Sequence, residues 1–543
     1  MRKVLLLLAL SLTAQTIAPG PQVLTFLSEI DDSDQPYAIN VPNAYTPQKQ
    51  WPLVISLHGA DSNHRLNLRR VFGQGNRLGE TDSQATRMFP ALGDSGFIVA
   101  SPLARGNMGY QGIAEKDVYD VLDDVKRRFS IDPDRVYLTG LSMGGGGTLW
   151  LGLTRPDIWA AIAAVCPAPP LGIEELAGNA LNFPVKLFQG QIDPLVPAAQ
   201  TRAWQQRFDD AGVHSEYVEY PGVRHNAWDY AYKNRAIFEW FRQFTRVSKP
   251  SKVHFASDNY AHASAYWLRF DKLIPGTLAV ADAEFQGKRL TVRTKNLDGF
   301  TIDAGRAPFR PAAIEIDGTT VRLRPRTALS FTRTRKAWTS GAAKIPPGSK
   351  RPGAEGPIAA AISSRHIYLY GTEGSPGPDE LIRRRDIAAH AADWSSPRSR
   401  LQLSFRVLSD KEATDSDLAG SNLVLFGTRA TNSRIADIAG DLPLQLNPGA
   451  ADYGLVYIYP VGERYVVISS GLPWWTRLDQ ANRPGLSFIA PAWRTLRSFG
   501  DFIVFRGGLD NVVAEGRFDN QWRLPAGVAE TLRATGAVQV REP

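Results

Sequence analysis

The sequence predicts an α/β chain in three folded parts behind a short leader. Residues 20–247 are expected to form an α/β unit with a parallel-type sheet. Residues 253–340 are expected to form a small β-sandwich-like domain, and 357–543 a mixed α/β domain. Three observations carry this division. Apolar runs alternate with helical patterns up to about residue 247, which argues for a parallel sheet covered on both faces. After a polar stretch at 248–252 the texture changes to many short alternating segments separated by turns. After a Gly-, Pro- and Lys-rich stretch at 341–356, buried strands and helices mix again.

Length and composition agree. A chain of 543 residues holds three or four domains of ordinary size. With 43% hydrophobic and 21% charged residues it is an ordinary globular protein, which excludes wholesale disorder, a collagen-like repeat or a coiled coil. The net charge of +8 is spread out with no dense basic run, so no nucleic-acid partner is expected.

The leader comes first in chain order. Arg2 and Lys3 precede an apolar stretch at 4–12, followed by small and polar residues up to Pro19. That is the layout of a signal peptide at 1–18, with a cut after Ala14 or Ala18. The run falls well short of the ~20 apolar residues a spanning helix needs. The mature protein is expected to be periplasmic or secreted, without stable membrane insertion.

In the first unit, 52–58, 96–102, 135–139, 160–165, 185–188 and 216–220 read as strands. Residues 116–129 read as a helix, with Val118, Val121, Leu122 and Val125 on one face. Residues 227–244 read as one aromatic-rich closing helix. In the second part, strands are expected at 265–270, 278–285, 289–293, 321–324 and 329–333. In the third, 367–371, 423–427, 457–460, 465–470 and 502–505 read as strands, with a helix at 379–392.

The residues that carry chemistry lie in the first unit. Gly140-Leu141-Ser142-Met143-Gly144 matches G-x-S-x-G between a strand and a helix. Glycines are needed there because the serine sits on a tight turn whose neighbours have no room for a Cβ. A serine hydroxyl needs a base, and for this elbow the partners come in the order Ser, acid, His. His225 lies in the loop after the strand at 216–220, where the base belongs. Asp193 lies beyond the strand at 185–188 and is the expected acid, with Asp229 an inferior rival. An oxyanion hole needs two converging N–H groups. Met143 is expected to supply one and Ala60, in Leu57-His58-Gly59-Ala60, the other, with Gly59 as the close alternative.

No cofactor and no metal site are expected. The lone cysteine, Cys166, sits beside an apolar run and reads as a buried small hydrophobe. It leaves no partner for an internal disulfide. The polar stretch 61–94 reads as a lid or acyl-binding loop, or as a surface excursion. Tyr110, Trp150 and Trp228 are candidates for an aromatic cleft, with Trp150 favoured as core.

The first unit resembles the serine α/β-hydrolases, nearest to bacterial feruloyl and acetylxylan esterases, polyhydroxybutyrate depolymerases and the prolyl-oligopeptidase (peptidase S9) catalytic domain. Leu57-His58-Gly59, Arg105-Gly106 through Tyr110, Glu115-Lys116-Asp117-Val118, Ile131-Asp132-Pro133-Asp134-Arg135-Val136 and Gly140 to Gly145 carry the resemblance. The resemblance implies a secreted serine hydrolase that cleaves carboxylic esters through Ser142, Asp193 and His225, on plant-polysaccharide or related acyl esters. Two other readings stand beside it: a serine peptidase of prolyl-oligopeptidase type, and a non-catalytic binding protein on a hydrolase fold.

Overall fold

The computed structural model describes residues 18–323, 329–335, 337–395, 403–481 and 491–541. Apart from Ala18, the expected leader lies outside the described residues.

The first part is built on eight strands: β1 (Gly20–Ser28), β2 (Ser33–Val41), β3 (Trp51–Leu57), β4 (Ile98–Pro102), β5 (Ile131–Leu141), β6 (Ala161–Val165), β7 (Val185–Gly190) and β8 (Ser215–Tyr220). They lie side by side in the order β1-β2-β4-β3-β5-β6-β7-β8. From β4 to β8 every neighbouring pair is parallel, while β1–β2 and β2–β4 are antiparallel. All seven residues of β3 are buried, as a central strand covered on both faces requires. The β1–β2 hairpin escapes a reading of apolar runs because β1, at the sheet edge, is only partly buried.

Seven helices accompany the sheet: α1 (His64–Val71), α2 (Asp82–Ala85), α3 (Ile113–Arg128), α4 (Met143–Thr154), α5 (Ala198–Asp210), α6 (Trp228–Ala231) and α7 (Ala236–Phe241). Val118, Val121, Leu122 and Val125 of α3 are buried, the face its spacing predicts. Two expectations need correction. The single closing helix at 227–244 is broken into α6, a short 3-10 turn and α7, because Asn234 (φ 54°) and Arg235 (φ 62°) adopt left-handed backbone. The stretch 61–94 is not simply an open loop. Its first helix, α1, buries Leu66, Leu68 and Val71, and Arg69 donates to the Ala85 carbonyl at 2.6 Å and to Glu80 at 3.0 Å.

Residues 252–340 build two five-stranded sheets that enclose their own core, including Phe255, Phe270, Leu290, Phe300 and Phe331. The strand expected at 265–270 is interrupted, since Tyr266 has φ 55°. The strand expected at 321–324 ends at Val321, and Arg324 lies outside the described residues. The third part holds a seven-stranded sheet in the order Val407–Ser409, His366–Tyr370, Asn422–Phe426, Arg464–Gly471, Tyr453–Val461, Phe502–Arg506, Val512–Gly516. Its first four strands are parallel and the rest antiparallel.

The third part is packed tightly on the first. One apolar core runs from Ile113 and Val118 of α3 into Ile358 and Ile362. The stretch 341–356 is no free linker: Lys350 is buried in a 2.5 Å ion pair with Asp501. The Glu355 carboxylate accepts from the Tyr260 and Ala261 amides of the second part. His262 of the second part meets Glu115 of α3 at 2.7 Å. Arg365 of the third donates to Asp32 and to the Glu29 carbonyl, near the β1–β2 turn.

Burial pushes the Glu355 carboxyl up from an ordinary 4.5 to about 7, against the two amides that favour its charged form. Its folded value therefore lies above its unfolded one, so the native state holds a proton that the unfolded state has released between these values. Stability should fall as pH rises from about 4.5 through about 7. Urea midpoints at pH 5 and pH 8 are expected to differ in that sense, and Glu355→Gln should shrink the difference. An equal pH dependence in the variant would refute the assignment.

Candidate active site

The site begins with a backbone constraint. Ser142 sits between β5 and α4 with φ 55° and ψ −119°, a strained conformation for a residue with a side chain. A Cβ on Gly140 would lie 2.2 Å from the Gly144 carbonyl oxygen. One on Gly144 would lie 2.2 Å from the Leu57 oxygen, and one on Gly146 2.0 Å from the Ala168 oxygen. These contacts are with backbone, so the start of α4 is wedged among the ends of β3, β5 and β6. The Ser142 N–H donates to the Val165 carbonyl at 2.8 Å, and the Cys166 N–H to that of Phe188 at 2.8 Å. The ends of β5, β6 and β7 are thereby tied in register.

Around this turn the structure brings three predicted residues together. His225 Nε2 lies 2.9 Å from Ser142 Oγ, and its Nδ1 lies 2.7 Å from Asp193 Oδ2. Gly190 explains how the His225 loop comes so close: a Cβ there would stand 2.0 Å from the Arg224 carbonyl oxygen. The Ile192 N–H also donates to the Val223 carbonyl at 3.0 Å, stitching the Asp193 loop to the His225 loop.

Asp193 is held from both sides. Its Oδ1 accepts the Leu195 and Val196 amides at 2.9 and 3.0 Å, and its Oδ2 accepts Gln189 Nε2 at 3.0 Å as well as His225. Burial alone would raise its carboxyl. The Val196 and Leu195 amides and His225 outweigh that and hold it below the ordinary 3.8. Asp193 is thus an anion fixed in place beside the imidazole. Asp229, the rival, is engaged elsewhere: it accepts from Asn226 Nδ2 at 3.0 Å.

The loop after β3 lies against the same turn. A Cβ on Gly59 would be 2.7 Å from Leu141 Cδ1 and 3.4 Å from Ser142 Cβ. The ring nitrogens of buried His58 lie 2.8 Å from the carbonyl oxygens of Gly59 and Leu103, and Tyr110 Oη donates to the His58 carbonyl at 3.0 Å. Asn107 pairs with Asp61, accepting its N–H at 2.7 Å. These contacts fix the loop that carries Ala60, with its neighbour Gly59 against the elbow. The Met143 N–H opens α4, and neither it nor the Ala60 N–H has a hydrogen-bond partner among the described residues.

The aromatic cleft expected from Tyr110, Trp150 and Trp228 does not form. Tyr110 is mostly buried, bonded to the His58 carbonyl, and lines a cavity beside the elbow without Trp150 or Trp228. Trp150 donates Nε1 to Glu115 at 2.7 Å, at the junction with His262. Trp228 stands edge-on to His225 with ring centres 5.3 Å apart. Gln189 and Asn107 position the site without any motif that a sequence could reveal.

Among the described residues, Cys166, Asp193 and His225 are the one group whose ligand atoms lie close enough together, within 4.8 Å, to hold a metal ion. The chemistry does not suit a metal. Both ring nitrogens of His225 are engaged. Burial, then the charge of Asp193, pushes the Cys166 thiol up to about 12, so it is no thiolate at neutral pH.

Residues 28–176 match the Esterase family model, and residues 108–245 match the Dienelactone hydrolase family model. Feruloyl esterase B of Piromyces equi is 28% identical over 172 residues, 29% of this chain and 29% of that protein. Poly(3-hydroxybutyrate) depolymerase of Ralstonia pickettii is 27% identical over 147 residues, 23% of this chain and 27% of that protein. The chain spans less than a third of the length of these relatives. Among solved structures, a thermostable esterase aligns with a TM-score of 0.34 at 22% identity, covering 42% of this chain and 63% of that one. A ferulic acid esterase aligns at 0.33 and 19% identity, covering 41% and 100%.

The wedged elbow should not tolerate a methyl group. Gly146→Ala drives a Cβ into the Ala168 backbone, which cannot swing aside. Thermal melts should show a loss of at least ~2 kcal/mol. A melt like that of the parent would show that the helix start has slack.

Proposed function

We propose that this α/β-hydrolase fold carries a serine hydrolase that cleaves carboxylic esters through an acyl-enzyme. The observation that supports it most is the unbroken series Asp193–His225–Ser142, with contacts of 2.7 and 2.9 Å, on a strained elbow at the strand ends. In the proposed reaction Ser142 Oγ attacks the ester carbonyl while His225 Nε2 takes its proton. Asp193 holds the Nδ1–H tautomer and stabilises the imidazolium. The carbonyl oxygen becomes an anion between the N–H groups of Met143 and Ala60, at the start of α4. The tetrahedral adduct collapses, and His225 hands its proton to the departing alcohol. Water then repeats the sequence on the acyl-enzyme, with His225 as base, and Ser142 is regenerated.

The substrates we propose are acyl esters of plant polysaccharides or related esters. Support comes from relatives named as a feruloyl esterase, a bifunctional acetylxylan esterase/xylanase from Neocallimastix patriciarum and a poly(3-hydroxybutyrate) depolymerase. An exported protein fits the leader-like N-terminus, and no helix among the described residues is long and apolar enough to cross a membrane.

Steady-state kinetics on 4-nitrophenyl acetate and on acetylated or feruloylated xylan test this reading. Ser142→Ala and His225→Ala are each expected to lower kcat by ~10⁴- to 10⁶-fold, because such residues act as one unit. Asp193→Asn should cost less. Turnover in the serine or histidine variant comparable to the parent would end the assignment. Short-chain aryl esters should exceed the matching anilides in kcat/KM by at least ~10³-fold, or ~4 kcal/mol. Efficient cleavage of proline-containing peptides with no release of acetate or ferulate would make the protein a peptidase instead.

A further inference from the structure

A cavity of about 370 Å³ opens beside the elbow, and one wall of it comes from the far end of the chain. On one side are Met143 and Gly147 of α4, and Ala168 to Pro170 after β6. On the other are Trp493, Arg494 and Arg497, on the helix Ala492–Arg497 of the third part. The size suits one small organic group. Its position suits one arm of a substrate, because Met143 directly follows Ser142.

The charge of this wall is not balanced. Neither Arg494 nor Arg497 forms an ion pair with any described residue, although many arginines near the surface of this protein do. Arg497 makes one long contact, Nη1 to the Met108 carbonyl at 3.4 Å, and stands 5.7 Å over the Trp493 ring. Burial, then Arg494, pushes the Arg497 guanidinium down to about 10; Glu115 offsets this only in part. Glu115 is itself committed to His262 and Trp150. Trp493, which lines the same wall, has its indole N–H buried without an acceptor among the described residues. A half-buried guanidinium without a described counter-ion, with a second, exposed one beside it on the same cavity wall, makes that cavity favourable for an anion.

We propose that this cavity is a substrate subsite that receives a carboxylate on one arm of the ester, held by Arg494 and Arg497. The proposal rests on the serine ester hydrolase reading above. It gives the third part a role at the site: the helix Ala492–Arg497 closes over the elbow and selects acidic esters. The planar guanidinium fork matches a carboxylate with two parallel hydrogen bonds, which a neutral acyl chain cannot accept.

The test uses the full chain and two esters that differ only at the far end: 4-nitrophenyl hexanoate and the 4-nitrophenyl monoester of adipic acid. The parent is expected to favour the adipate ester. Arg497→Gln and the exposed Arg494→Glu should each lower the ratio of kcat/KM, anionic to neutral, on the order of 10-fold or more. Reading the ratio removes any general loss from imperfect folding, and Arg494, at the surface, keeps the test open should Arg497→Gln misfold. A ratio that stays within about 2-fold of the parent's in Arg494→Glu, or a parent that favours the neutral ester, overturns the subsite while leaving the hydrolase reading intact. A parent that cleaves neither ester overturns the hydrolase reading, and the subsite with it.

Discussion

The architecture turns on the lack of space at the start of α4. Gly140, Gly144 and Gly146 each face a backbone carbonyl at a distance no Cβ can tolerate, and Ser142 between them is held at φ 55°. The strain is sustained because β3, β5, β6 and β7 are all committed to this point by parallel pairing and by the Ser142 and Cys166 amide hydrogen bonds. The crowding lifts a hydroxyl above the strand ends, and the N–H of the adjoining Met143 is left without a described partner. A second close approach, Gly190 against Arg224, brings His225 to Asp193. The proposed chemistry depends on sub-ångström placement, and backbone crowding is what holds these groups in place.

Much of this is legible in the sequence because it is local. The elbow announces itself as glycines at fixed offsets around a serine, between an apolar run and a helix. Asp193 and His225 lie just past the ends of successive strands, so strand order alone puts them near one another. The periodicity of α3 is clear because one face is buried along its whole length. The β1–β2 hairpin is not legible, since a partly exposed edge strand has no unbroken apolar run. Nor is the break between α6 and α7: left-handed backbone at Asn234 and Arg235 carries no glycine or proline signal. The contributions of Trp493, Arg494 and Arg497 are invisible for another reason. They arrive about 350 residues after Ser142, through packing between separate parts of the chain, and no local pattern records such a contact.

That packing alters how the parts relate. A first part with a complete elbow would be expected to work alone, with the rest as an appendage. Yet its core is continuous with that of the third part, and the stretch between the second and third parts is anchored at Lys350 and Glu355. A buried ion pair such as Lys350–Asp501 is costly to break and holds the connecting stretch on the third part. The cleft beside the elbow is therefore walled by residues of the first and third parts together.

Every role proposed for the site depends on Ser142 being a nucleophile activated by His225 and Asp193. The most direct measurement is mass spectrometry of the intact chain after exposure to a fluorophosphonate, which captures activated serines by phosphonylating the hydroxyl with loss of fluoride. The expected result is a single adduct on the peptide containing Ser142, formed much more slowly in His225→Ala. No adduct on the folded chain, or an adduct on another serine while Ser142 stays free, would contradict the account.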